Sequence, residues 1–256
     1  MKIAIIGFGK MGSWFAKELA KNNEVAVYDV VEPGQISRIK TLSDLSQLEK
    51  FKPEMLVNAV SLQNTTKAFE AAVDYITKDC TIVDIASIKG EIPKYYEKSG
   101  HKFVSLHPMF GPTLTDMQSL NEESVIIIKE SDVEGKEFFT KFFSSFGLKI
   151  FEYSFKEHDE MMAYSLTTPF AASLVFAACV DKTIVPGTTF KRHLKVSRGL
   201  LSEDDHLLSE ILFNPNSIKQ LEKINSRLEF LKHIIKARDF EEAKRFFNNL
   251  RKNIQN

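Results

Sequence analysis

Short apolar runs of strand length alternate with amphipathic stretches of helix length along the first half of the chain. The apolar runs predict buried strands over 2–6, 24–30, 54–60, 81–85, 102–106, 124–128 and 148–152. The stretches that repeat apolar residues at helical spacing cover 13–22, 65–77 and 134–146. Strands that alternate with helices predict an α/β fold with a doubly wound parallel sheet of the Rossmann type.

The pattern changes near residue 153, after which strand signals nearly disappear. Long helical patterns follow, over 157–180, 188–201, 204–213, 217–237 and 240–254. Two turn-forming pairs, Pro186-Gly187 and Asn214-Pro215, separate some of them. We therefore predict two domains, a Rossmann-type domain over 1–153 and an all-helical C-terminal domain over 154–256.

Charge and cysteine content narrow the possible partners and the compartment. The chain balances 34 basic against 34 acidic residues, which gives no electrostatic reason to bind nucleic acid or an anionic membrane. Cys80 and Cys179 lie far apart without metal-ligand spacing, so we expect no metal site and free thiols in a reducing compartment, the cytoplasm. The first apolar run reaches Gly7 too soon for a signal peptide, and no run approaches the roughly 18 apolar residues of a membrane helix.

A glycine-rich turn lies between the first predicted strand and the first predicted helix. Gly7-Phe8-Gly9-Lys10-Met11-Gly12 has the G-x-G-x-x-G spacing. Gly7 permits a tight turn, Gly9 lets a pyrophosphate approach the backbone, and Gly12 lets the helix pack closely on the strand. Free N–H groups at the helix N-terminus would bind the phosphates, so the turn predicts a dinucleotide site. A glycine-rich turn without a ligand is the competing interpretation.

Asp29 ends the second predicted strand, at about the distance from the turn where an acidic residue hydrogen-bonds the adenosine ribose. A carboxylate at this position repels a 2′-phosphate, and Val30, Val31 and Glu32 follow it rather than an arginine. Asp29 therefore favours NAD over NADP. The alternative is a solvated aspartate at the end of a strand.

Two further segments follow strands of the predicted sheet, at the edge where open parallel sheets bind ligands. One is 84–90, with Ser87, and the other is 106–112, with His107. A histidine at the end of a strand, followed by proline and glycine that fix the turn, is well placed for proton transfer. The Ser87 hydroxyl could hydrogen-bond one imidazole nitrogen, set the tautomer and leave the other nitrogen for substrate. A capping histidine in a loop is the alternative.

The chain resembles the prephenate dehydrogenase (TyrA) family in its glycine turn, in Asp29, in Asp84…Ser87-x-Lys89-Gly90 and in His107-Pro108-Met109-x-Gly111. The resemblance covers essentially the whole chain and is most specific over 81–112. It implies NAD-dependent oxidation of prephenate to 4-hydroxyphenylpyruvate with loss of carbon dioxide, in tyrosine biosynthesis, or the same reaction on arogenate. By this resemblance His107 is the catalytic histidine and Ser87 supports it. The predicted cofactor residues are Gly7, Gly9, Lys10, Met11, Gly12, Asp29, Ser61 and Ser87.

The helical domain of this family binds the substrate and forms the dimer, so the resemblance also implies a homodimer. His158-Asp159 matches the family at the start of the first long helix, and we expect His158 to make a capping or interdomain hydrogen bond. Many members carry Ser-His-x-Pro-His farther along, where this chain has Leu166-Thr167-Thr168-Pro169-Phe170. Thr167 is the substrate-binding candidate at a position where the family has a histidine.

A basic cluster on a predicted helix supplies the cations that a substrate with two carboxylates needs. The family's substrate arginine aligns with Lys195, while Arg192 and Arg198 lie three residues to either side on the same helix face. Lys195 and Arg192 are the predicted substrate ligands. A solvated basic face is the alternative.

Two other functions fit parts of this pattern. Another Rossmann oxidoreductase, of the hydroxyacid dehydrogenase or pyrroline-carboxylate reductase type, would not need His107; the hydroxyacid enzymes rely instead on a lysine of the helical domain, here Lys191 or Lys195. A nucleotide-sensing module without catalysis would need only the glycine turn and Asp29. His107 therefore distinguishes these alternatives from the family reaction.

Overall fold

The first half of the chain forms one eight-stranded sheet in a computed structural model that describes residues 1–34, 36–111, 115–117, 119–181, 183 and 185–255. The strands are β1 (Lys2–Ile6), β2 (Glu24–Tyr28), β3 (Ile39–Thr41), β4 (Met55–Asn58), β5 (Thr81–Asp84), β6 (Phe103–Pro108), β7 (Ser124–Ile128) and β8 (Lys149–Tyr153). Their order is β3-β2-β1-β4-β5-β6-β7-β8. The strand order reverses between β1 and β4, the place where doubly wound sheets bind dinucleotides.

Five helices cover the two faces of the sheet. They are α1 (Lys10–Leu19), α2 (Gln47–Phe51), α3 (Thr65–Ala72), α4 (Ile92–Ser99) and α5 (Val133–Ser144). Successive residues of β1 alternate between two cores: Ile3 and Ile5 pack with α1 and α5, whereas Ala4 and Ile6 pack with α2, α3 and α4. Burial on both faces explains why the strands read as continuous apolar runs.

The C-terminal part of the chain is helical. Its helices are α6 (Phe155–Ser165), α7 (Thr167–Ala178), α8 (Thr188–Leu200), α9 (Asp205–Leu212), α10 (Ser217–Ala237) and α11 (Phe240–Asn253). A small core of Ile88, Ile126, Ile128, Met162 and Ile211 joins the sheet to α6 and α9. The Rossmann-type sheet followed by helices confirms the predicted fold class. The last strand ends at Tyr153, beside the boundary predicted for the two domains, which remains a prediction.

Some predicted elements differ from the structure. The single helix predicted over 157–180 is wrong, because α6 and α7 are separate and meet at Leu166. Pro169 explains the break, since it has no N–H to donate to the carbonyl of Ser165 and its ring would clash there. The strand β3 and the helices α2 and α4 were not predicted, because such short elements carry little periodic pattern. The pair β6–β7 is antiparallel, unlike the predicted all-parallel sheet, and the described residues between these strands form no crossover helix.

The helices α6 and α7 together, Phe155–Ala178, are long and apolar enough to cross a membrane by length and composition, contrary to the sequence expectation. Only 22% of the most apolar window is buried. On α7 the side chain of Val175 is exposed, whereas Met162 of α6 is packed against the sheet. The single chain therefore leaves an apolar face of α7 uncovered.

Candidate active site

The glycine turn follows β1 in the way the predicted roles require. Gly7 has a φ of +90°, and a Cβ there would lie 2.7 Å from the backbone of Ala59 on the neighbouring chain segment. A Cβ on Gly12 would lie 2.0 Å from the carbonyl oxygen of Gly7, so this position also requires glycine. Gly9 faces open space. An anionic group can therefore reach the backbone at the start of α1 without meeting a side chain.

Asp29 lies beside this turn, directly after β2. Its carboxylate accepts hydrogen bonds from the N–H groups of Phe8, at 2.5 Å, and Val31, at 2.9 Å. A cleft of about 570 Å³ contains Asp29, Gly7 and Gly9 in its lining. Its lining also includes the apolar side chains of Leu45, Ala68 and Ala71. This end of the site combines a fixed carboxylate with apolar lining residues, which suits a ribose and its attached base.

Two further cavities adjoin this cleft along the carboxyl edge of the sheet, and the three together form the groove. The next section, of about 580 Å³, shares Ser61 with the first and adds Lys10, Met11 and Ser87. A last section of about 400 Å³ shares Lys10, Met11 and Ser87 and ends at His107. The groove therefore leads from Asp29 past the glycine turn to His107, and all predicted cofactor residues except Gly12 line it.

His107 lies near the end of β6 and is only 5% exposed. Its Nδ1 is 2.9 Å from Nε2 of His158, a fully buried residue of α6. Nδ1 of His158 is 3.0 Å from the carboxylate of Asp159. The sheet and the helical region therefore meet in a hydrogen bond between two imidazoles, and the interdomain hydrogen bond expected of His158 is present.

A buried ion pair lies behind His107. Nζ of Lys89 donates to the carboxylate of Asp84 at 2.7 Å and to the carbonyl of Leu106 at 2.7 Å, and both charged side chains are fully buried. The hydroxyl of Tyr96 donates to the second oxygen of Asp84 at 2.7 Å. Lys89 thus fixes the backbone directly before His107. Its own backbone N–H donates to Asp159 at 3.3 Å.

The buried surroundings hold the histidines in their neutral form. Burial lowers the pKa of His107 well below its usual range, and the nearby His158 and Lys89 lower it further. Burial also lowers the pKa of His158, although the hydrogen bond to Asp159 opposes this shift. A neutral imidazole is the form that accepts a proton, so His107 is suited to act as a general base at neutral pH.

The structure does not bring every predicted residue to the groove. Ser87 lines it together with His107, whose Nδ1 is hydrogen-bonded to His158. The role of Ser87 in setting the tautomer stays a prediction. Thr167 is fully buried, its hydroxyl lies 2.7 Å from that of Ser217, and it is not in the groove lining around His107, so its substrate role stays a prediction.

The basic cluster lies apart from the groove. Arg192 and Lys195 are exposed on α8 and are absent from the lining around His107, so the single chain gives them no contact with a ligand there. Sequence reasoning missed Glu203, which lines the second and third sections of the groove, as Lys10 does. It lies between α8 and α9, and no local motif distinguishes it from other acidic residues.

Comparison with known proteins agrees with this geometry. Residues 35–146 match the family model described as prephenate dehydrogenase, nucleotide-binding domain. Arogenate dehydrogenase 1, chloroplastic, of Arabidopsis thaliana is 26% identical over 91% of this chain. A probable arogenate/prephenate dehydrogenase of Methanocaldococcus jannaschii is 23% identical over 94% of this chain. The chain spans 39% of the length of the first relative and 58% of the second.

Solved structures share the whole fold. Prephenate dehydrogenase from Aquifex aeolicus, in complex with hydroxyphenyl propionate and NAD⁺, superposes with a TM-score of 0.81 at 20% identity, covering 98% of this chain and 96% of that chain. Arogenate dehydrogenase of Synechocystis superposes with a TM-score of 0.75 at 17% identity, covering 99% and 98%. The matched nucleotide-binding domain confirms the predicted nucleotide cofactor of the first half. These matches confirm the resemblance to the prephenate dehydrogenase (TyrA) family that the sequence motifs indicated.

Proposed function

We propose that this protein is an NAD-dependent dehydrogenase that converts prephenate to 4-hydroxyphenylpyruvate and carbon dioxide. The observation that carries the proposal is the groove of three adjoining cavities, which share lining residues and lead from Asp29 to His107. Its cofactor end fits a dinucleotide, because Gly9 leaves the backbone open to a pyrophosphate and Asp29 presents a carboxylate to the ribose. The reaction end holds a buried neutral histidine, which suits proton removal from a substrate hydroxyl.

The chemistry asks little of the protein beyond positioning and one proton transfer. Bound NAD⁺ would accept the hydride from the ring carbon that carries the hydroxyl. His107 accepts the hydroxyl proton while that carbon becomes a carbonyl. When the ring carboxylate leaves as carbon dioxide, its electron pair makes the ring aromatic, and His107 returns the proton to the new phenol oxygen. Aromatisation supplies most of the driving force.

The first experiment is absorbance at the NADH wavelength with purified protein, NAD and either prephenate or arogenate. Production of NADH with either substrate supports the reaction class, and a matched His107→Asn variant shows whether the signal depends on the base. Normal NAD binding without turnover of either substrate would contradict the proposal. A hydroxyacid dehydrogenase would then be the next candidate, although its expected lysines, Lys191 and Lys195, are exposed and do not line the groove around His107.

Arogenate is the second candidate substrate, and Glu203 is the observation that favours it. Arogenate carries an ammonium group where prephenate carries a keto group, and Glu203 offers a carboxylate in the lining of the section that contains His107. We expect Glu203→Gln to lower kcat/KM for arogenate relative to prephenate by a few-fold, the scale of about 0.2–1 kcal/mol for a solvent-accessible ion pair. Glu210→Gln on α9, outside the groove lining, is the control. An unchanged ratio would leave prephenate as the preferred proposal.

The proposal extends to a second copy of the chain as partner. The apolar helix α7 exposes Val175, and α10 and α11 expose further apolar side chains, among them Leu228, Leu231 and Phe247. Exposed apolar side chains are typical of protein interfaces where they form one patch. Sedimentation velocity tests the expected homodimer. The free thiols Cys80 and Cys179 agree with the proposed cytoplasmic location.

A further inference from the structure

Three side chains connect the helical region to the reaction end of the groove by hydrogen bonds. Asp159 accepts from Nδ1 of His158 at 3.0 Å, and Nε2 of His158 lies 2.9 Å from Nδ1 of His107. Asp159 is itself held, since its carboxylate also accepts the backbone N–H of Lys89 and its carbonyl accepts the side-chain amide of Asn214 at 3.0 Å. His158 is fully buried, so water cannot take its place beside His107.

The chemistry of these groups fixes where the protons lie. An ionised carboxylate only accepts hydrogen bonds, so Nδ1 of His158 must carry its proton toward Asp159. Nε2 of a neutral His158 is then a bare acceptor. Nδ1 of His107 must therefore carry a proton and donate it to His158. The second nitrogen of His107, Nε2, is left with a free lone pair.

We propose that His158 and Asp159 are positioning residues that hold His107 in the tautomer whose Nε2 is the general base. The inference rests on the proposed function, because it assigns the nitrogen that takes the substrate proton. It also moves the support of the base from Ser87, on the sheet, to α6 of the helical region. A general base with the wrong tautomer would present an N–H to the substrate and accept nothing.

The opposite arrangement requires a protonated His158. In that state both of its nitrogens donate, and Nδ1 of His107 would have to accept. Burial and the adjacent positive charge of Lys89 disfavour a charged His158, while Asp159 favours it. The remaining charged groups near the imidazoles are Asp84, paired with Lys89, and Lys10 and Glu203 in the groove lining. The two arrangements place the proton of His107 on different nitrogens, so a measurement of its tautomer distinguishes them.

The first test is ¹⁵N NMR of the wild-type protein labelled at histidine, with the His107 signals assigned by comparison with His107→Asn. The proposal expects a proton on Nδ1 and none on Nε2 at neutral pH. A proton on Nε2 of His107 would overturn it. This measurement needs no turnover, so it decides the inference even if neither prephenate nor arogenate is oxidised and the proposed function fails.

The second test compares two substitutions of His158. The glutamine side chain in His158→Gln would place a carbonyl oxygen near the position of Nε2 and still accept from His107, whereas His158→Leu removes the acceptor. We expect His158→Leu to lower kcat by about 10²-fold, the lower end of the contribution of general-base catalysis, with little change in substrate KM or NAD affinity. His158→Gln should recover most of kcat. Equal kcat in both variants, whether high or low, would contradict the positioning role.

Discussion

The two ends of the groove are built in different ways. At the cofactor end the backbone forms the binding surface, because Gly7 and Gly12 allow a close turn and Gly9 leaves the backbone of that turn accessible. At the reaction end buried side chains form the site, and His107 of the sheet is hydrogen-bonded to His158 of the helical region. Backbone sites depend on a few glycines and are robust to other changes. A buried polar cluster is sensitive at every member, because no water replaces a missing partner.

The sharpest way to separate the two ends is His107→Asn. We expect turnover to fall by about 10²- to 10⁴-fold, the usual contribution of general acid–base catalysis, while NAD affinity stays unchanged. Steady-state kinetics and NAD titration measure the two quantities on the same sample. A loss below about tenfold would mean that His107 is not the base.

Lys89→Met tests the buried support of the reaction end. The substitution leaves the carboxylate of Asp84 buried without its cation, so we expect the free energy of unfolding to fall by about 3–5 kcal/mol. Urea denaturation measures the loss. Lys94→Met is the control, since the ion pair of Lys94 with Glu91 is exposed and should contribute less than about 1 kcal/mol. Equal losses in the two variants would contradict the importance of burial.

Asp29→Ala tests the cofactor end. Loss of a hydrogen bond to a charged group costs about 1.5–3 kcal/mol, so we expect the Kd for NAD to rise about 10- to 100-fold. Adding Val30→Arg should shift preference toward NADP, because the repulsion of a 2′-phosphate is replaced by attraction. The thermal unfolding temperature of Asp29→Ala shows whether loss of the hydrogen bonds from Phe8 and Val31 destabilises the fold. Glu32→Ala removes an exposed negative charge nearby and is the control for the change in net charge. An unchanged NAD/NADP ratio would refute the ribose assignment.

The pH profile gives the smallest effect and refines the reaction end. Burial lowers the pKa of His107, and only the neutral form accepts a proton. Activity should therefore rise as pH increases through that lowered pKa and already be level at the usual histidine value of about 6.5. The measurement is kcat/KM against pH. An acidic limb centred above about 6.5 would show that burial does not control this base.

The sequence was most informative where function depends on local spacing. Gly7, Gly9 and Gly12 could be assigned individual roles because a strand, a turn and a helix follow each other within one segment. His107 was recognisable from its place at the end of a strand. The fold class followed from apolar runs that both cores of the sheet explain.

Contacts between distant segments were not readable in the same way. His158 lies 51 residues from its partner His107, and only the packing of α6 on the sheet brings the two together. Ser87 was predicted as the partner because it and His107 both follow strands at the same edge of the sheet. Thr167 shows the converse, since alignment placed it at a substrate position while folding turned its hydroxyl toward Ser217. In both cases long-range packing determines which group the side chain contacts.

The hydrogen bond between His107 and His158 also affects how substrate enters and product leaves the site. Together with the contact of Lys89 to Asp159, it fastens α6 to the carboxyl ends of β5 and β6. Swinging the two halves apart would break both contacts and wet two buried imidazoles before any product escaped. Release of product along the length of the groove breaks neither of these two contacts. Exchange of small molecules would then depend on side-chain motion at the groove mouth, on a faster timescale than domain opening.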